Sequence, residues 1–132
     1  MIKIKARYVE GIAMTLKSLM DDRETRIGGS TVLKLLKLER KLKEEYADIE
    51  AARWKMLNAY GNKGEDGKLK VDQEGNVEFP EEGRQKFMEE FSTLLATDID
   101  IDLPQLTEAE FSAIQNVPLA AAALLEPIIN IQ

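Results

Sequence analysis

Residues 98–103 read Asp-Ile-Asp-Ile-Asp-Leu, an alternation of acidic and apolar side chains. Alternation with a period of two predicts a β-strand that buries one face and exposes the other. Residues 2–7, Ile-Lys-Ile-Lys-Ala-Arg, alternate in the same way, with basic side chains in place of the acidic ones. Pairing these two strands buries both apolar faces together and places cations opposite carboxylates. We therefore predict a small sheet formed by these two segments.

The longest predicted helix covers residues 30–60, after a break at Gly28 and Gly29. Ser30 is placed to act as its N-cap, because a serine hydroxyl accepts a backbone N–H of the first turn. Apolar side chains recur along it every three or four residues: Leu35, Leu38, Leu42, Tyr46, Ile49, Ala52, Met56 and Tyr60. Such a helix would be about 45 Å long, which exceeds the width of a domain of this size. We expect it to project, to bend or to pack against another subunit.

A second apolar set on the same helix comprises Val32, Leu33, Leu36 and Trp54. These residues widen the apolar face beyond the stripe that one neighbouring helix covers. The long helix therefore provides the predicted partner-binding surface, carried by five side chains: Leu35, Leu38, Leu42, Tyr46 and Trp54.

The other elements are predicted to be shorter. Helical spacing indicates a helix from about Val9 to Met20, and alternation around the turn at Gly75 indicates a hairpin over about 68–79 with Leu69, Val71, Val77 and Phe79 on its apolar face. A helix over about 81–96 follows, with Pro80 in its first turn and a predicted buried side made of Phe87, Met88, Phe91, Leu94 and Leu95.

Thr107 and Glu110 match a capping box, which predicts a short helix that stops near Asn116. The tail from Leu119 to Gln132 is apolar, and we expect it either to dock in the core or to cover a partner. Together these patterns predict a single domain over 1–132 of the α+β class, mainly α. It would contain one long helix, three or four shorter helices and a small antiparallel or mixed sheet that includes a hairpin.

The composition restricts the chemistry. The 132 residues include no Cys and no His, so thiol and imidazole catalysis are excluded. The aspartates at 98, 100 and 102 lack the glycine and the glutamate that a calcium loop needs at its sixth and twelfth positions. We expect no enzyme activity, no cofactor and no metal. No apolar run approaches the length of a membrane span, and no signal peptide is indicated.

The net charge of −6 is unevenly placed. Residues 1–60 contain 13 Lys and Arg against 9 Asp and Glu (net +4), whereas residues 61–132 contain 5 against 15 (net −10). An acidic half repels a phosphate backbone, so nucleic-acid binding is disfavoured. Arg23 and Arg26 beside two glycines form a basic loop that could hold a small anion; the alternative is an exposed turn that pairs locally with Asp21, Asp22 and Glu24.

Several segments also carry a resemblance to a known group of proteins. These are Leu57-Asn58-Ala59-Tyr60-Gly61, the hairpin around Gly75, Phe87-Met88-Glu89-Glu90-Phe91, the Asp-Ile strand and Leu125-Glu126-Pro127-Ile128. In this order the chain resembles a group of small uncharacterised proteins encoded in tailed-phage and prophage genomes. The resemblance implies a phage protein located in the host bacterial cytoplasm or in the virion, and it assigns no functional residue.

The expected function is that of a non-catalytic phage protein that binds other proteins or itself, as a virion component or an assembly accessory factor. One alternative is an inhibitor of a host defence or nucleic-acid-handling complex, since an acidic surface can occupy a nucleic-acid-binding groove. Another is a binder that sequesters a nucleotide signal, with Arg23 and Arg26 as its candidate residues.

Overall fold

The computed structural model describes residues 2–130, which form five α-helices, one 3-10 turn and four short strands. The helices are α1 (Ala6–Asp21), α2 (Gly29–Tyr60), α3 (Glu81–Leu95), α4 (Glu108–Ser112) and α5 (Leu119–Leu125). The strands are β1 (Ile2–Lys5), β2 (Asp98–Ile101), β3 (Leu106–Thr107) and β4 (Ile129–Asn130), and the 3-10 turn covers Glu126–Ile128. The predicted class, α+β and mainly α with one long helix, is confirmed.

The chain is organised as two compact units. Among the described residues, unit 1 contains residues 2–46 and 98–130, and unit 2 contains residues 47–97. Each unit includes part of α2.

The predicted pairing of the two alternating segments is confirmed in unit 1. Strands β1 and β2 are antiparallel, with Ile2 opposite Ile101 and Lys3 opposite Asp100. Ile2, Ile4 and Ile101 are buried, whereas the lysines and aspartates are exposed. The opposite charges therefore line the solvent face of the pair, while the isoleucines pack inside.

Both strands are shorter than the predicted ones. Arg7 lies in α1, because Ala6 and Val9 begin the buried face of that helix, which therefore starts where the strand was expected to continue. At the other strand, the Leu103 N–H donates to the Ile101 carbonyl at 2.9 Å. This three-residue turn at Asp102 ends β2 before residue 103.

Beside the strands, two helices and the C-terminal segment contribute to the interior of unit 1. Helix α1 contributes Ile12 and Leu16, α2 contributes its three leucines Leu35, Leu38 and Leu42, and the C-terminal segment contributes Leu125 and Ile128. Strand β4 pairs in parallel with β3, with Ile129 opposite Leu106. Of the two alternatives for the tail, docking in the core holds for Leu125, Ile128 and Ile129, which are buried, whereas Leu119 and Leu124 are exposed. The last two residues lie outside the described part of the chain.

The predicted N-cap is wrong for α2 and correct for α4. Helix α2 begins at Gly29, because the Val32 N–H already donates to the Gly28 carbonyl at 2.9 Å; Ser30 therefore lies within the first turn and is not an N-cap. The capping box of α4 is confirmed, since the Glu110 N–H donates to the Thr107 hydroxyl and the Thr107 N–H donates to the Glu110 carboxylate. That helix ends at Ser112, earlier than predicted.

Unit 2 consists of the end of α2, the hairpin segment and α3. The hairpin contains the isolated bridge Val71↔Val77 instead of regular strands, and Val71 is exposed, contrary to the prediction that it lies on the apolar face. Helix α3 ends one residue before the predicted boundary, and Pro80 is its N-cap residue rather than part of its first turn.

The buried side of α3 is aromatic. Phe87 stacks on Phe79 at 5.1 Å and on Phe91 at 5.4 Å between ring centroids. Met88 is exposed, which corrects the prediction that it lies on the buried side. The reason is its position: it follows Phe87 by one residue and so is rotated by about 100° from the face that Phe87 and Phe91 occupy.

Candidate functional site

Three of the predicted partner-binding residues belong to the core of the chain itself. Leu35, Leu38 and Leu42 lie in unit 1 and are at most 1% exposed. Their burial leaves almost none of their own surface for a partner to contact. The prediction that these leucines contact a partner is therefore corrected.

The two aromatic candidates lie in different surroundings. Tyr46 is partly exposed and lines a cavity of about 200 Å³ between α1 and α2, together with Ala13 and Met14. Trp54 is 49% exposed in unit 2, where the Arg53 guanidinium lies 5.5 Å from its ring centroid.

The loop of Arg23 and Arg26 is held by the segment that follows α4. The backbone of Arg26 exchanges two hydrogen bonds with Gln115, and the Asn116 side-chain amide donates to the Glu24 carbonyl at 2.7 Å. Both arginine side chains are exposed. Within residues 2–130 neither arginine forms an ion pair with Asp21, Asp22 or Glu24, so the local pairing considered from the sequence does not occur in the structure.

A surface that the sequence did not predict lies in unit 1, between α2 and the segment after β2. Two cavities of about 450 Å³ and 240 Å³ share Lys37 and Leu103, so they adjoin. We call them together the α2 groove. Its lining residues are Ser30, Leu33, Lys34, Lys37, Leu38, Arg40, Lys41, Glu44, Asp102, Leu103 and Pro104.

The two walls of the α2 groove are fixed by different means. One wall is a face of α2 on which the lining residues recur every three or four positions from Ser30 to Glu44, as residues on one helix face do. The other wall is Asp102-Leu103-Pro104. This wall is held at one end by the turn that closes β2 and near its other end by Gln105, whose side-chain amide donates to the Pro127 carbonyl at 3.1 Å.

The charge changes along the α2 groove. The smaller cavity is apolar at Leu33, Leu103 and Pro104, and the larger one contains three cations (Lys37, Arg40, Lys41) and two carboxylates (Glu44, Asp102). Two lysines of the wall are already paired. Lys34 lies 2.7 Å from Glu110, and Lys41 lies 3.6 Å from Glu44 and 3.7 Å from Glu45.

Two carboxyl groups of unit 1 are held as anions by their neighbours. The hydrogen bond from Lys34, supported by the Thr107 backbone N–H, lowers the pKa of Glu110. The hydrogen bond from Lys5 lowers the pKa of Asp98. The ion pair of the first group joins α4 to α2, and that of the second joins β2 to β1.

More than half of the side chains that line the α2 groove are charged. Its polar groups are ammonium, guanidinium and carboxylate groups that bind charged or hydrogen-bonding ligands. Across residues 2–130 no cluster of three or more acidic side chains is arranged to hold a metal ion, including the aspartates of β2.

One sequence signal could have pointed to this surface. Leu33 and Leu36 lie off the main apolar stripe of α2, and the structure leaves them 55% and 41% exposed. Asp102 and Leu103 of the other wall belong to the alternation that predicted a strand, but the turn at Asp102 takes them out of β2.

Among the described residues, no helix is both long enough and apolar enough to cross a bilayer. Comparisons with protein-family models, with curated proteins and with solved structures find no match to the chain.

Proposed function

We propose that this chain is a non-catalytic phage protein that acts by binding protein, a second copy of itself included, inside the bacterial cell or in the virion. The observation that carries the proposal is the exposure of Leu33 and Leu36 on α2, beside a groove. Scattered exposed apolar residues are ordinary. Two leucines three residues apart on one helix are neighbours and form a patch.

The surroundings of this patch support protein binding. Charged side chains flank it, because Lys34 directly follows Leu33 and Lys37 directly follows Leu36 along α2. Protein interfaces commonly combine an apolar centre with a polar rim. The leucines on the main stripe of α2 are buried in unit 1, so they form the intramolecular face of this helix. Leu33 and Leu36 lie off that face and are available to a partner.

Sedimentation at tens of micromolar tests the self-association form of the proposal. We expect the unmodified chain to sediment as an oligomer and Leu33→Gln/Leu36→Gln to shift towards the monomer. The matched control is Met14→Gln/Leu124→Gln, which removes two other exposed apolar side chains of unit 1 and should leave the oligomer intact. A chain that is monomeric at this concentration contradicts self-association through this patch.

The position of the gene tests the role in assembly. A place among head and tail genes supports a virion or assembly factor. A place among genes that counter host defences overturns the assembly role in favour of an inhibitor of a host complex.

A further inference from the structure

We infer that the α2 groove binds an extended acidic segment of a partner protein, in which one apolar side chain is followed by carboxylates two and four residues later. The inference rests on the proposed protein-binding function and specifies the chemistry of the partner. It follows from the spare charge, the spacing and the apolar end of the groove.

The spare charge comes from Lys37 and Arg40. Lys34 and Lys41 have carboxylates within 4.0 Å, whereas among residues 2–130 neither Lys37 nor Arg40 forms an ion pair. These two residues lie three positions apart on α2 and line the same cavity. The groove therefore presents two adjacent cations that lack anionic partners, on a chain whose overall charge is −6. An acidic ligand is the complement of this local reversal of charge.

The spacing along α2 matches an extended ligand. Leu33, Lys37 and Lys41 follow each other at four-residue steps, and each step is about 6 Å along the helix axis. In an extended strand, side chains on one face recur about every 6.7 Å. A segment with the pattern apolar-x-acidic-x-acidic therefore places its apolar side chain at Leu33 and its carboxylates at Lys37 and at Arg40 with Lys41.

The wall formed by residues 102–104 shows which side chains lie favourably along α2. Asp102 lies among the cations of the larger cavity, and Leu103 lines both cavities. An acidic and an apolar residue of the chain itself thus already lie along this face of α2. The inferred ligand adds the same two residue types on the open side.

A protein segment fits better than a nucleic acid. A nucleic acid carries a phosphate at every nucleotide, so Glu44, Asp102 and the net charge of −6 oppose its binding more than they oppose a segment with two carboxylates. Leu33, Leu103 and Pro104 provide a contact for an aliphatic side chain, which a phosphate backbone does not offer.

The test is an NMR titration of the full chain with the acetylated, amidated peptide Ser-Leu-Ser-Glu-Ser-Glu-Ser. We expect backbone amide shifts concentrated at Leu33, Lys37 and Leu103. Replacing both glutamates of the peptide by glutamine should weaken binding about tenfold, since two ion pairs of about 0.7 kcal/mol each are lost.

Two charge-reversal variants locate the contact. Lys37→Glu/Arg40→Glu should weaken binding of the acidic peptide more than about tenfold, the loss expected when glutamine replaces glutamate in the peptide. The same variant should bind a peptide with lysines in place of the glutamates. The matched control, Lys55→Glu/Lys68→Glu, makes the same change of net charge at two exposed residues of unit 2 and should retain binding. Circular dichroism checks that both variants stay helical.

Three results would overturn the inference: no shifts in the groove, equal loss of binding in both variants, or a single-stranded oligonucleotide that binds the groove as tightly as the peptide. If the peptide does not bind but Leu33→Gln/Leu36→Gln still dissociates an oligomer, the acidic ligand is rejected. The proposed protein-binding function then stands.

Discussion

The ammonium group of Lys5 lies 2.9 Å from Oδ1 of Asp98, across the antiparallel pair of β1 and β2. Both side chains are about half exposed, so the ion pair is screened by solvent and contributes little to stability. Its effect is on register. A slip of one residue would place the lysines and aspartates in the interior and the isoleucines in water.

The stability of the pair should come from its buried side. We expect Ile4→Ala to lower the free energy of unfolding by about 2–5 kcal/mol, because Ile4 is 2% exposed and its truncation leaves a cavity. Lys3→Ala, on the exposed face of the same strand, should change it by less than about 0.5 kcal/mol. Urea unfolding measures both. Equal effects of the two substitutions would show that β1 does not pack as described.

The ion pair should be visible in the titration of Asp98. The hydrogen bond from Lys5 is the largest cause that lowers the pKa of this carboxyl group below its ordinary 3.8, and the charge of Lys3 contributes least. Lys5→Met should therefore raise the pKa of Asp98 more than Lys3→Met does. NMR detection of the carboxylate carbon against pH measures the shift. A larger effect of Lys3→Met would contradict the pairing of Lys5 with Asp98.

Acid should weaken the attachment of α4 to α2. The folded state holds the pKa of Glu110 below its ordinary 4.5, chiefly through the hydrogen bond from Lys34 at 2.7 Å. Stability from this group is therefore present above pH 4.5 and is lost as the pH falls through the lower folded-state pKa.

We expect Lys34→Met and Glu110→Gln each to flatten the loss of stability on the acid side, as measured by urea midpoints at a series of pH values. The double variant should reduce the acid-induced loss of stability no further than the single variant with the larger effect, because both substitutions remove the same contact. Full additivity would indicate that the two side chains act independently.

Two glycines should respond oppositely to alanine. A Cβ at Gly83 would meet the backbone carbonyl of Tyr60, and backbone cannot yield as a flexible side chain can, so Gly83→Ala should destabilise unit 2 by about 1–3 kcal/mol. Gly11 lies inside α1 with no atom within 4 Å of a Cβ, so Gly11→Ala should stabilise by about 0.5–1 kcal/mol. Thermal unfolding measures both changes. Stabilisation by Gly83→Ala would contradict the close approach of α3 to the end of α2.

Much of the fold was predictable because two independent patterns agreed. The apolar alternation and the charge alternation of β1 and β2 both specify the observed register, and the stripe on α2 predicted its end at Tyr60. The capping box at Thr107 was predictable since it depends on local hydrogen bonds alone.

The rest depended on contacts between distant segments. Strands β3 and β4 have two residues each, too few for a period, and they pair only because the tail docks. The α2 groove was not predictable because one wall begins in the turn that ends β2 and the other is made of residues on a charged helix face. The main stripe of α2 indicated an apolar surface, and sequence alone does not distinguish a face that the chain buries itself from one that it leaves to a partner.

The pairing of β1 with β2 is the central claim, because it positions the segment that forms the second wall of the α2 groove. The chain has no native cysteine, so an engineered disulfide tests the register directly. Lys3→Cys/Asp100→Cys places two thiols opposite each other and should form an intramolecular disulfide with the helical circular dichroism unchanged. Lys5→Cys/Asp102→Cys is four residues out of register, about 13 Å apart along the strands, and should stay reduced. Oxidation of the second pair in preference to the first would contradict the register and, with it, the described groove.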